Sequence, residues 1–200
     1  MISFEIEEEM HDLGYNIVCG VDEAGRGPLA GSVFAAACIL PEGFDTDGLN
    51  DSKKISEKKR EQLFERITQS TAIWAVASAD EEEIDEINIL NATFLAMKRA
   101  VCKLSEKPDI LLVDGNRYPK TGFKEKTVIK GDALSYSIAA ASILAKVSRD
   151  RYMQELVALY PEYQFAKHKG YGTKLHYEMI KQYGISPVHR KSFLRNLAEK

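Results

Sequence analysis

The sequence contains no apolar run long enough to cross a membrane; the longest, residues 33–40, is the length of a strand. A helical membrane anchor is not expected. The opening MISFEIEEEMHDLG has neither the basic start nor the apolar centre of a secretory leader, so a cytoplasmic protein is expected. Cysteine is scarce: Cys19, Cys38 and Cys102 are far apart, odd in number and each set in an apolar run. That spacing builds neither a disulfide framework nor a zinc site, and buried free thiols are expected. No internal repeat and no low-complexity linker interrupts the chain.

What is there suffices for a sizeable core. Two hundred residues at 44% hydrophobic content fit one domain, or one domain with a small appendage. The net charge of −3 argues against a polyanionic partner, but its distribution argues for one. Residues 1–50 carry ten acids and one base, a net of −9, whereas residues 146–200 carry eleven bases and five acids, a net of +6. An acidic half suited to cations, joined to a basic half suited to phosphates, fits metal-dependent work on a polyanion.

The chain is organised around residues 17–31, IVCGVDEAGRGPLAG. A β-branched apolar run leads into Asp22 and Glu23, then into a loop, Gly25-Arg26-Gly27, that offers close backbone approach beside a fixed positive charge. A tight hairpin with solvated acids is the plain alternative. Strands are expected at residues 17–23, 32–40, 72–79, 110–113 and 124–130, the first two paired as a hairpin. Helices are expected at 56–69, 88–104, 133–160 and 173–183, with a helical turn before residue 15 and a basic helical segment at 189–197. Ser56 and Thr173 read as helix caps, Ser78 with Glu81 as a capping box, and Gly184 as a helix stop. The acid run 80–86 suits a helix start and carries no chemistry.

Strands interleaved with helices imply an α/β fold with a mixed sheet. Three separate segments end apolar strands with acids: Asp22-Glu23, Asp114 and Asp132. If those strands are neighbours, four carboxylates converge at one end of the sheet, where divalent cations relieve their repulsion. Two such ions can activate a water and stabilise the leaving oxygen of a phosphodiester. Adjacent side chains on a regular strand face opposite ways, so Asp22 and Glu23 share a site only if the strand twists or ends there. The bland reading, acids as solvated strand ends, does not readily explain three such junctions in one chain.

The pieces GVDEAGRGPLAG, NDSKK, LLVDG, KGD, SIAAASILAKVSRDR and HKGYGT, in that order and spacing, resemble ribonuclease HII, a family of endonucleases on the ribonuclease H fold. The resemblance runs through nearly the whole chain. It implies a ribonuclease H-like mixed five-stranded sheet flanked by helices, with a catalytic core at 1–160 and a helical C-terminal portion at 161–200 forming the other wall of a substrate cleft, all one structural unit. It implies hydrolysis of RNA in RNA–DNA hybrids and incision 5′ to single ribonucleotides embedded in duplex DNA, leaving 3′-hydroxyl and 5′-phosphate ends. The implied metal-binding acids are Asp22, Glu23, Asp114 and Asp132, holding Mg²⁺ or Mn²⁺, with two ions during catalysis. Gly25, Arg26 and Gly27 match the loop that reads the ribonucleotide, through backbone groups that can approach a 2′-hydroxyl. Tyr171 matches a tyrosine that stacks on the deoxyribose beyond the junction; from its neighbours alone it reads as a loop anchor. Lys53 matches a phosphate-contacting lysine, although by its position alone it reads as a solvated helix end. Lys169 and Thr173 are weaker phosphate-contact candidates, and His168 is expected to anchor its loop or meet a phosphate. A monomer is expected, and the C-terminal KSFLRNLAEK holds no recognisable clamp-binding motif. The rivals are another nuclease on this fold, disfavoured by the glycine-arginine loop together with HKGYGT, and a binding module without catalysis, disfavoured by the presence of all four acids.

Overall fold

The computed structural model describes residues 2–50, 52 and 54–195. Short apolar runs alternate with amphipathic ones, and the elements follow that pattern. Helix α1 (Glu5–Asp12) precedes β1 (Val18–Ala24) and β2 (Val33–Ile39), then α2 (Glu57–Gln69), β3 (Ile73–Ala79) and α3 (Glu81–Cys102). Strands β4 (Ile110–Asp114) and β5 (Lys124–Val128) are followed by the long α4 (Tyr136–Leu159), the single turn α5 (Phe165–His168) and α6 (Lys174–Tyr183).

The five strands form one sheet in the order β3-β2-β1-β4-β5. Strands β1, β2 and β3 pair antiparallel, whereas β1, β4 and β5 run parallel, so the sheet is mixed. The expected hairpin is present, with Asp22 opposite Ala36 and Glu23 opposite Ala35. Strand β1 occupies the centre of the sheet. It packs so closely on the start of α4 that a Cβ on Gly20 would overlap the backbone of Ser137 and Ile138. On its other face its own Cys19 and Val21, with Leu111 and Val113 of β4, are fully buried with the inner face of α3. The opposite face of the sheet is covered by α2 and by the Ala139-Ala140-Ala141 stretch of α4, whose small side chains let the helix lie close. A third cluster ties the end of α4 to the C-terminal turns through Met153, Leu156, Tyr163 and Phe165.

Helix α2 is capped by Ser56 and α6 by Thr173, each accepting from the backbone N–H three residues on, as read from the sequence. Other details differ. The capping box of α3 is Asp80 with Glu83, not Ser78 with Glu81, because β3 runs on through Ala79 and moves the cap two residues along. By contrast, the helix expected from residue 88 does begin there: Asn88 is non-helical and kinks α3 into two parts, and its side chain caps the second by accepting from the N–H groups of Leu90 and Asn91. No helix forms over the described part of 189–197; His189 pairs with Ala30 in an isolated bridge and only Lys191–Phe193 makes a 3₁₀ turn. Cys19 and Cys38 are buried thiols as expected, but Cys102, at the last turn of α3, is exposed. Among the described residues no helix is long and apolar enough to cross a membrane.

Candidate active site

The acids at the strand ends are brought together. Parallel pairing of β1 with β4 puts Val21 beside Val113, so Asp22 and Asp114 follow on adjacent strands. The N–H of Gly131, one residue before Asp132, donates to Asp114 Oδ1 at 2.7 Å, which seats the third acid segment against the second. Strand β1 does not end at Glu23: it keeps its β2 partner through Ala24 while its pairing with β4 stops at Val21. Freed on that side, the Glu23 N–H donates to Asp22 Oδ1 at 2.7 Å, and Glu23 Oε1 pairs with Arg26 at 3.3 Å.

Asp22 is 4% exposed. Burial, and then the charges of Glu23 and Asp114, push its pKa well above the ordinary carboxylate range, while a hydrogen bond from Ser142 pulls it back. An all-oxygen donor set that repels itself suits a hard divalent cation. As they stand, no three His, Cys, Asp or Glu side chains among the described residues converge tightly enough to hold an ion. The Oδ1 atoms of Asp22 and Asp114 are turned to backbone N–H groups instead.

Beside the acids lies a cleft of about 240 Å³, lined by Glu23, Gly25, Arg26, Gly27, Lys146 and Tyr171, among others. Gly25 adopts φ +99°, and a Cβ there would collide with the Arg149 side chain, so this position requires glycine. Gly27 faces the cleft: a Cβ on it would stand 3.6 Å from Tyr171 Cε1. Tyr171 is 47% exposed, its ring presented to the cleft rather than packed in the core. His168 is buried, bonded to the Tyr163 carbonyl at 2.8 Å and accepting from the Gly170 N–H at 3.2 Å, which makes it an anchor of its loop. Lys169, in the left-handed region, lies 3.9 Å from Glu57, and the Thr173 hydroxyl caps α6. Lys53 lies outside the described residues.

Several residues of the cleft escaped sequence reasoning. Ser142, Lys146 and Arg149 share one face of α4 by their four- and three-residue spacing, a periodicity available in SIAAASILAKVSRDR but masked by the apolar residues around it. Ser142 meets Ser52 at 2.8 Å, and Lys146 pairs with Asp150 at 2.6 Å. Arg149 donates to the carbonyls of Ala30, Ser32 and Lys169, joining the glycine loop to the tyrosine loop.

A mixed sheet in this strand order, with carboxylates at the adjoining ends of its central strands and a cleft beside them, defines a nuclease of the ribonuclease H-like class. A family model for ribonuclease HII matches residues 19–196, and the chain belongs to the ribonuclease HII family. It is 57% identical over 194 residues to a ribonuclease HII of Caldicellulosiruptor bescii, covering 97% of this chain and 94% of the relative. Among solved structures it is similar to the ribonuclease H2 of Pyrococcus horikoshii OT3, with a TM-score of 0.75 at 29% identity, covering 91% of this chain and 97% of that one. An Archaeoglobus fulgidus RNase HII solved in complex with PCNA matches with a TM-score of 0.69 at 27% identity, covering 87% and 93%. The fold is shared by Bst-RNase HIII, solved with Mn²⁺, at a TM-score of 0.66 and 18% identity, covering 87% and 65%. The chain is thus a metal-dependent endoribonuclease of the ribonuclease H type.

Proposed function

We propose that this enzyme hydrolyses the RNA strand of RNA–DNA hybrids and incises 5′ to single ribonucleotides in duplex DNA, leaving 3′-hydroxyl and 5′-phosphate ends. The observation that carries this reading is the cleft in which Glu23, the Gly25–Arg26–Gly27 loop and Tyr171 face one space. One wall offers backbone groups that can approach a 2′-hydroxyl; the other offers a ring that a 2′-hydroxyl on the next sugar would crowd. Residues 1–160 supply the first wall and the acids, and residues 161–200 the second.

Asp22, Glu23, Asp114 and Asp132 would hold Mg²⁺ or Mn²⁺, the burial of Asp22 together with the charges of Glu23 and Asp114 around it being the feature that supports a cation there. Two such ions would supply positive charge to activate a water and to neutralise the leaving oxygen. This chain's own residues do the rest. Arg26, half exposed beside Glu23, meets phosphate or holds the acid. Lys53, Lys169 and the Thr173 hydroxyl contact backbone phosphates, and Tyr171 stacks on the deoxyribose beyond the junction. Ser142 holds a proton toward Asp22 and keeps the carboxylate ready for a cation.

The test is a labelled duplex with one embedded ribonucleotide, incubated with Mg²⁺, Mn²⁺ or EDTA. A cut on the 5′ side of the ribonucleotide, lost in EDTA, is the expected result. Digestion of a long hybrid alone would remove the junction reading and leave the ribonuclease H activity in place.

A further inference from the structure

Two adjacent residues outside the proposed site reach both of its walls. Arg190 is fully buried, and its guanidinium makes five hydrogen bonds, all to carbonyls of the glycine loop and its exit. Nη2 donates to Gly25 and Gly31 at 2.6 Å, Nη1 to Pro28 at 2.8 Å and Arg26 at 3.1 Å, and Nε to Gly31 at 2.9 Å. A lysine cannot reproduce that planar fork.

His189 reaches the other wall through a chain of rings. The Ser186 N–H donates to His189 Nδ1 at 2.9 Å, which leaves the proton of a neutral His189 on Nε2. His189 Nε2 lies 3.0 Å from His176 Nε2, and His176 Nδ1 lies 3.0 Å from the Tyr171 carbonyl. Only one tautomer pattern satisfies every contact: His189 donates to His176, and His176 donates to Tyr171. The backbones agree with the side chains. Arg190 N donates to Leu29 O at 2.8 Å, Gly31 N to Val188 O at 2.9 Å, and Leu29 N to Gly170 O at 2.8 Å, so the three segments lie side by side.

We propose that His189 and Arg190 are a positioning pair that fixes the distance between the Gly25–Gly27 loop and Tyr171, so that selection of a ribonucleotide followed by a deoxyribonucleotide depends on their bonds. The inference rests on the reading of those two walls given above. Neither residue touches substrate. Burial lowers the pKa of both His176 and His189 to about 4, which keeps the relay neutral near neutral pH.

The test compares kcat and KM of the wild type, Arg190→Lys, His176→Leu and His176→Asn on a duplex with one ribonucleotide and on a long hybrid. Asparagine keeps a donor near the position of Nδ1, and leucine does not. Arg190→Lys and His176→Leu are expected to lose about 100-fold in kcat on the single ribonucleotide, the scale of a 1 Å misplacement, with KM little changed and the hybrid less affected. His176→Asn is expected to recover most of that loss. Equal losses on both substrates, or leucine and asparagine behaving alike, would overturn the pair's role. A wild type that fails to cut at the single ribonucleotide would instead overturn the function proposed above. Nitrogen chemical shifts of the wild-type histidines give a reading that needs no variant: His176 protonated on Nδ1 and His189 on Nε2 are expected, and the opposite tautomers contradict the relay.

Discussion

Asp22 is a carboxylate held where ionisation is resisted. Its folded pKa lies above the unfolded value of 3.8, first through burial and then through Glu23 and Asp114. The metal-free protein therefore loses stability as pH rises from about the unfolded value through the folded one, and at neutral pH it carries that cost. Asp22→Asn removes the charge but keeps the shape. In the absence of metal it should melt higher than the wild type at pH 7, by about 2–4 °C for each kcal/mol released, while cleavage is abolished. Calorimetry in EDTA together with a cleavage assay checks both parts. A lower melting temperature, or substantial residual activity, would contradict the proposal that Asp22 is a metal ligand held where ionisation is resisted.

At the scale of elements, what was legible in the sequence is local and what was not is tertiary. The strand-end acids, the caps at Ser56 and Thr173 and the glycine stop after α6 all follow from residues within a turn of one another. Arg190 gave no such signal, since its partners lie more than 150 residues earlier in the chain. The basic stretch 189–197 reads as a helical segment, but the backbone around His189 and Arg190 is taken up by residues 29–31 instead. Cys102 looked buried from its apolar neighbours and lies on the outer side of α3's last turn. From its neighbours Tyr171 reads as a loop anchor; its place opposite Gly27, with the ring exposed, gives it a cleft to face instead.

The histidine cluster makes a prediction at this same scale. His168 stacks on His176 with ring centroids 4.2 Å apart, and His176 meets His189 at 5.1 Å, packed around Phe165 and Tyr163. Burial, with the neighbouring histidines adding to it at His176, lowers the pKa of His176 and His189 from 6.5 to about 4. The unfolded chain then binds more protons than the folded one between those values, so their stabilisation is complete above about pH 6.5 and is lost as pH falls toward 4. Melting temperatures from pH 7.5 to 4.5 should fall more steeply for the wild type than for His189→Gln. Parallel profiles would contradict a neutral buried relay.

Across the whole molecule, charge and shape point the same way. Residues 1–50, at −9, bring Glu23 and the glycine loop to the cleft, and residues 146–200, at +6, bring Lys146, Arg149 and the Tyr171 loop to its other side. On the proposed reading, cations and a polyanion would meet where the two parts face each other. The proposed reading holds that one wall requires a 2′-hydroxyl and the other excludes it from the next sugar, so the site recognises an ordered pair of sugars. The most direct measurement maps the cut in two duplexes that differ by one atom, one with a single ribonucleotide and one with a second ribonucleotide added on its 3′ side. The account predicts that the cut moves one nucleotide, to the 5′ side of the added ribonucleotide, because only there does a deoxyribose still follow. A cut that stays 5′ to the first ribonucleotide would contradict it.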